Sequence, residues 1–439
     1  MSVTADGPDV RTTPRPAPRR TLRELPAPRG RLAGRVAERV ILRGLEEVTT
    51  GCLVVAFPDG REHVFGDAAS ATVERLAIVR DDFFQRLALR GRVGLGEAYV
   101  AGDWDSPDLV GLLGLLSRNL EQARSRPPLA SVTRALRHRP SLPARAGLRT
   151  AERNVHYHYD LGNDLYRLFL DGSMTYSCAY FEHAGQSLED AQQAKHRRIC
   201  EKLALGPDDH LLEIGCGWGG FAIHAARERG ARVTGITISR EQHDLALRLV
   251  EEAGVAHLVE ILYRDFREVR GSFTKIASIE MLEAIGEALY PAFFAACDRL
   301  LAPGGIACVQ TIAIPDQRYE AYRRTRDFIQ AYIFPGGLLP SVARLSAAMS
   351  GSSSLVLHGL EEIGYHYADT LAEWRRRFHE RIADVRALGY DARFERMWDY
   401  YLAFCEAGFR TRTVRDVQLV LTRPLNDALP RYPSLRPTH

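Results

Sequence analysis

The sequence predicts a doubly wound α/β domain with a mostly parallel sheet, preceded by a smaller N-terminal domain. Three observations carry that prediction. Strands alternate with helices from His210 onward, the first of these strands runs into a glycine-rich turn, and the chain before residue 152 has a different texture. At 439 residues the chain is also too long for one ordinary domain.

Residues 1–30 are rich in Pro, Arg, Thr and Ala, have little apolar periodicity and read as disordered. Residues 31–120 form the small domain. They contain a strand-like run, Cys52 to Phe57, a Pro58-Asp59-Gly60 turn and helical stretches such as Asp81 to Leu89. Residues 121–151, with Pro127, Pro128, Pro140 and Pro143, read as a basic linker. The main domain is expected over 152–425, with a tail over 426–439.

Within the main domain His210 to Ile214 is a buried strand and Gly219 to Arg229 a helix. Arg232 to Ile238 is a second strand, and Arg240 to Ala253 an amphipathic helix. Strands follow at Val259 to Leu262, Lys275 to Ile279 and Ile306 to Ile312, with a helix near Ala288 to Leu301 before the last. An insertion over 315–354 then separates this fifth strand from the C-terminal part, where Asp416 to Arg423 closes the sheet as a final strand.

Composition narrows the function class. Hydrophobic content of 46% and charged content of 26% are those of a globular protein. No apolar run reaches the roughly 18 residues that span a bilayer; Leu109 to Ser117 is half that length. The N-terminus lacks the continuous apolar stretch of an export signal. Seven cysteines at irregular spacing fit reduced thiols in a cytosol, and no Cys/His cluster has metal-ligand spacing. The net charge of +3 is unevenly placed, with ten arginines against four acids from Met1 to Arg43 and a second basic run between Arg124 and Arg153. Such runs suit anionic surfaces, whether lipid headgroups or nucleic acid, and suit solvated linkers equally well.

The most informative local feature is LLEIGCGWGG, Leu211 to Gly220. A buried strand ends at Glu213, and Gly215 and Gly217 allow a tight turn that brings backbone close to a ligand. A dinucleotide site uses a related turn. Two details favour S-adenosylmethionine instead: the spacing is G-x-G-x-G-G, and a carboxylate precedes the first glycine, where it suits a cationic amino group and not a pyrophosphate. Asp265 and Phe266, just after the third strand, are placed to hold an adenine. The second strand ends without an acid for the ribose hydroxyls, which leaves Thr237 and Gln242; an ordinary helix-surface residue is the lesser reading of Gln242.

Further motifs occur in one order: NVHYHYDLGNDLYRLFLD (154–171), MTYSCAYF (174–181), GITISREQ (235–242), SIEMLEAIG (278–286), YIFPGGLLPS (332–341), YHYADTLAEWRRRF (365–378) and RMWDYYLAFCEAGFR (396–410). Together they resemble the cyclopropane fatty acid synthases, including the mycolic acid cyclopropane synthases. The resemblance is strong from Asn154 to Pro424 and moderate over Gly94 to Leu113. It implies a class I S-adenosylmethionine-dependent methyltransferase fold, a Rossmann-like seven-stranded sheet, with an N-terminal lipid-binding domain. It further implies that Tyr176 and Ser177 bind the carboxylate end of the cofactor, that Gly215 and Gly217 line its methionine portion, and that Thr237 and Gln242 face the ribose. A bicarbonate ion acting as general base would be held by Cys178, Glu283, Gln310, Ile312 and Tyr367. Cys405 falls at a position sometimes assigned as an active-site cysteine.

The implied reaction is methyl transfer from S-adenosylmethionine to the cis double bond of an unsaturated phospholipid acyl chain, giving a cyclopropane. Where this chain has Leu282 to Ala284 and Gln310 to Ile312, other bacterial members read FEH and HTI, so Gln310 replaces a histidine. Members with the present pattern include enzymes that form a methylene-branched chain, which leaves the product open. An alkene is a poor nucleophile, so the donor must be held in line with it. The resulting cation needs a dry, aromatic-walled pocket, for which Tyr157, Tyr159, Phe181, Phe328, Tyr332, Phe334, Tyr400 and Tyr401 are candidates. Taken singly, Cys178 reads as a buried structural thiol, Glu283 as a helix N-terminal carboxylate, Tyr367 as a half-exposed tyrosine and Cys405 as core packing. The Gly336-Gly337 pair suggests a hinged lid. The expected location is cytoplasmic, at the inner face of the cell membrane and in contact with its anionic surface. A homodimer stays open, and no nucleic-acid partner is expected because no Asp-Pro-Pro-Tyr-type motif occurs.

Overall fold

The computed structural model describes residues 31–125, 161–426, 428 and 429. The expectations for residues 1–30, for most of the linker, for Tyr157 and Tyr159 and for the tail beyond 429 lie outside the described residues.

Strands β1 (Cys52–Ala56), β2 (Glu62–Gly66), β3 (Val73–Ile78) and β4 (Trp104–Asp105) form a small sheet in the order β2-β1-β3-β4. The helix expected at Asp81 to Leu89 continues to Ala101, with its geometry broken at Gly91 (φ 56°, ψ −130°). Leu109 to Ser117, the most apolar run, is the first half of the helix Leu109–Ser125. No described helix is long and apolar enough to cross a membrane.

The main sheet contains β5 (His210–Ile214), β6 (Arg232–Thr237), β7 (Val259–Tyr263), β8 (Phe273–Ile279), β9 (Leu301–Ala313), β10 (Val356–Glu362) and β11 (Arg415–Thr422), in the order β10-β11-β9-β8-β5-β6-β7. The first five are mutually parallel, and β11 runs antiparallel to both its neighbours. This is the seven-stranded sheet expected. One detail is corrected: β11 does not close the sheet but lies inside it, and the edge is β10. That edge strand escapes sequence reading because most of its side chains are exposed or half-exposed, so it has no buried-face pattern. By contrast β11 is buried at every position after Arg415, and its Val417, Leu419, Val420 and Leu421 mark it as a strand although Asp416 and Gln418 lie among them. Helix starts follow side-chain caps: Ser187, Ser239 and Asp391 accept from the N–H groups of Asp190, Gln242 and Phe394.

The N-terminal elements share one hydrophobic core with the C-terminal helix Ala392–Arg410. Gly96 permits the approach: a Cβ there would sit 2.3 Å from the Phe328 ring and 2.7 Å from that of Tyr400. Asp399 ties the layers together, accepting from Tyr99 Oη, Arg375 Nε and His379 Nε2, each at 2.7 Å. Burial works against its charge, but His379, Arg375 and Tyr99 outweigh burial and hold the carboxyl far below the usual carboxylate range. A depressed carboxyl stabilises the fold above its unfolded pKa, about 4, and that contribution is lost as pH falls toward the folded value. Asp399→Asn should therefore melt below the parent at neutral pH, and the gap should narrow as pH drops from about 4. Thermal melts across pH check this; a gap independent of pH contradicts it.

Candidate active site

The polar half of the site forms at the carboxyl ends of β5, β6 and β7. Gly215 and Gly217 take φ of 83° and 54°, and the N–H groups of Gly215 and Cys216 donate to Ile236 O at 3.0 and 2.9 Å. A Cβ on Gly215 would lie 2.9 Å from the Met281 side chain, so this turn tolerates only glycine. Gly219 caps the helix Gly220–Arg229 that follows. One cavity is lined by Tyr176, Ser177, Glu213, Gly215, Gly217, Thr237, Gln242, Asp265 and Phe266 together, so every residue the sequence assigned to a cofactor meets there.

Their partners differ in kind. Thr237 Oγ1 donates to Gln242 Oε1 at 2.7 Å, with both side chains buried. Asp265 pairs with Arg267 at 2.6 Å. Burial pushes the Glu213 carboxyl up to about 8, against the opposing pull of Lys195 and of the Ala222 N–H. Its Oε2 is buried without a hydrogen-bond partner, as a place reserved for a cationic ligand group would be. Lys195, fully buried, donates to Ser177 Oγ at 2.9 Å and was not singled out from the sequence. Its signal is positional: Ala191, Ala194 and Ile199, its neighbours on the helix Leu188–Lys202, are all fully buried, so its charge must have an internal partner.

Three of the expected catalytic residues, Cys178, Gln310 and Tyr367, converge, on a carboxylate that the sequence does not single out. Glu280, immediately after β8, accepts from Cys178 N at 2.8 Å, Gln310 Nε2 at 2.9 Å and Tyr367 Oη at 2.6 Å. Its φ is 51°, a left-handed conformation costly for a residue with a side chain and typical of functional positions. Its N–H donates to Gln310 O at 2.8 Å. Burial raises the Glu280 pKa, while Tyr367, the Cys178 N–H, Lys195 and Gln310 pull it down. Cys178 contributes its amide, whereas its thiol is wholly buried, points at Ala179 O (3.1 Å) and is pushed up by burial. Gln310 also donates to Asp416 Oδ2 at 2.9 Å.

Glu283 and Ile312 form a separate pair. Glu283 Oε1 accepts from the Ile312 N–H and from Thr311 Oγ1 (2.9 Å), while its Oε2 is buried without a partner. Burial and the neighbouring Glu280 charge push its carboxyl up to about 8. The expected five-residue set is thus divided between two carboxylates three positions apart.

A second, mostly apolar cavity meets the first at Tyr176, Glu280 and Ala284. Leu95, Leu113 and Leu116 from the N-terminal helices line it, with Tyr322, Phe334 and Leu338 from the insertion and Tyr400, Tyr401, Phe404 and Cys405 from the C-terminal helix. Of the expected aromatic walls, Phe334, Tyr400 and Tyr401 line the cavity. Phe328 meets Tyr400 edge to face at 4.7 Å and Tyr332 at a tilt at 5.1 Å, and Phe181 packs on His366 and lines neither cavity. Cys405 is half-buried in this wall, its thiol held neutral by burial.

The sequence profile of the family described as mycolic acid cyclopropane synthetase matches residues 147–419. The chain is 38% identical over 409 residues to the tuberculostearic acid methyltransferase UfaA1 of Mycobacterium tuberculosis, covering 90% of this chain and 93% of that one. It is 36% identical over 363 residues to the cyclopropane-fatty-acyl-phospholipid synthase of Escherichia coli, covering 81% and 89%. Among solved structures, the M. tuberculosis mycolic acid cyclopropane synthase CmaA1 in complex with SAH and CTAB superposes with a TM-score of 0.58 at 31% identity, over 62% of this chain and 97% of that one. The cyclopropane synthase MmaA2 of the same organism gives the same TM-score at 29% identity and the same coverage.

Proposed function

Because the chain belongs to the mycolic acid cyclopropane synthetase family of S-adenosylmethionine-dependent methyltransferases, we propose that it methylates the cis double bond of an unsaturated fatty acyl chain of a phospholipid. The observation that carries this reading is the meeting of a polar and an apolar cavity at Tyr176 and Glu280. When bound, S-adenosylmethionine supplies an electrophilic methyl group. Glu213, with its unpartnered buried oxygen, would take the cationic amino group, Tyr176 and Ser177 the carboxylate, Thr237 and Gln242 the ribose, and Asp265 and Phe266 the adenine.

The remaining work belongs to the chain's own side chains. The apolar cavity lays the acyl chain alongside the polar one and excludes water that would trap a carbocation. Tyr176 and Tyr401, joined through their hydroxyls at 2.7 Å, and the Tyr367 ring present aromatic faces to that charge. A proton must then leave the acyl chain, and Glu280 is the base in this reading. The donors that the family resemblance would give to bicarbonate, namely Cys178 N–H, Gln310 and Tyr367, are directed here at its carboxylate. Burial raises its pKa above the usual carboxylate range, the direction that strengthens a carboxylate as a base. Turnover that collapses in carbonate-free buffer and returns with added bicarbonate would favour the ion instead.

Proton loss from the new methyl closes a cyclopropane directly, whereas a 1,2-hydride shift from the methylated carbon to the cation carbon, followed by proton loss from that same methyl, leaves a methylene branch. The ring follows from the family resemblance. The methylene branch is a second reading, favoured by Gln310 and by similarity to a fatty acid methyltransferase over 90% of the chain. Docking on an anionic membrane is supported by the helix Arg31–Leu45, where Arg35, Arg39 and Arg43 are exposed beside Val36 and Val40. Expression in a host without cyclopropane lipids, followed by proton NMR of its fatty acids, tests the reaction. Upfield ring protons identify the first product and vinylidene protons the second; unmodified acyl chains refute both.

A further inference from the structure

Behind the Glu280 cradle runs a line of buried polar side chains that methyl transfer does not itself use. Lys202, at the end of the helix Leu188–Lys202, donates to Glu361 Oε2 at 2.5 Å and to Gln418 Oε1. Gln418 Nε2 donates to Gln310 Oε1 at 2.9 Å, and Gln310 Nε2 donates to Glu280 Oε1 at 2.9 Å. Gln418 and Gln310 sit opposite each other in the β9–β11 register, and both are at most 1% exposed.

An amide can present either its oxygen or its nitrogen to a neighbour, so two adjacent glutamines have no preferred direction of their own; the groups at the two ends decide, with Glu280 and Asp416 both accepting from Gln310 Nε2 at 2.9 Å and Lys202 donating to Gln418. An ammonium group only donates. Beside Lys202, Gln418 must present its oxygen, which turns its NH2 to Gln310, which in turn presents its own oxygen there and its NH2 to Glu280. Reversing the order would leave donors facing donors in a buried site, each mismatch stranding an unpaired group.

We propose that Lys202 is a positioning residue for the reaction: acting through Gln418, it sets the direction of the Gln310 amide and so places a hydrogen-bond donor on the Glu280 carboxylate. The inference rests on the reading of Glu280 as the base. A donor favours the ionised form that can accept a proton. The other groups facing Glu280 are Tyr367, the Cys178 N–H and Lys195, with Glu283 and Asp416 opposing its charge. Lys202 faces Glu361, itself held by Arg198 at 2.5 Å, and the Cys308 thiol.

The test is kcat/KM against pH, with thermal melts, for the full-length enzyme and its variants. Gln418→Glu keeps the shape and, ionised beside Lys202, can only accept, so the Gln310 amide turns its oxygen toward Glu280. The acid limb should move up by about one pH unit, a roughly tenfold loss below it, with melting temperature and cofactor KM unchanged. Lys202→Met should move the limb the same way by less, and Lys202→Arg, which again only donates, should restore it. A variant that melts early is judged from the other. Parental limbs in both Gln418→Glu and Lys202→Met overturn the proposal, as does loss of folding in both, since a device of polarity leaves packing intact. A Glu280→Gln enzyme with the parental rate and limb would instead sink the assignment of the base.

Discussion

Glu280→Gln should lower kcat by roughly 10²–10⁴-fold, the contribution of a positioned general base, while leaving cofactor affinity almost unchanged. Glutamine keeps the volume and can still accept from the Cys178 N–H or the Tyr367 hydroxyl, so the strained turn at φ 51° retains partners. What it cannot do is take up a proton. Removing a carboxylate whose burial outweighs its donors should leave the melting temperature equal or higher. Steady-state kinetics with lipid vesicles and cofactor titration separate the two effects. A variant as active as the parent would eliminate Glu280 as the base, and one that loses cofactor binding as well would place its role in the polar cavity.

Trp104→Ala should lower folding stability by about 3–5 kcal/mol, the cost of emptying a large aromatic site in a packed core. Trp104 is fully buried, lies 5.1 Å from the Tyr99 ring and 6.4 Å from that of Phe83, and donates Nε1–H to Leu95 O at 2.9 Å. The substitution leaves both a void and a carbonyl without its donor. Leu95 lines the apolar cavity, so acyl-chain KM should rise in the same variant. Denaturant unfolding measures the first effect. A midpoint equal to that of the parent would mean that the N-terminal elements are not part of the core on which the site is built.

Much of this molecule is legible in its sequence. The strands from His210 to the fifth appear within a few residues of their final positions because parallel strands, covered on both faces, are written as short apolar runs between helices. The residues of the polar cavity are equally legible, since Gly215 and Gly217 announce their turn locally and Glu213 stands two positions before it. Harder was β10, an exposed edge; the helix expected to end near Leu89 does break at Gly91, and a second helical stretch then runs on to Ala101.

The catalytic centre divides along the same line. By itself the sequence determined that a strand, a glycine turn and a helix would meet at one rim of the sheet, while the expectation that Cys178, Gln310 and Tyr367 gather with Glu283 and Ile312 came from the family resemblance. Which of the two acids receives them only the tertiary structure decided. Glu280 and Glu283 are three residues apart and chemically identical, and the groups that distinguish them lie 102 and 87 positions away along the chain. Hydrogen bonds over such separations are set by how the sheet and its covering helices pack, which no local pattern of residues records.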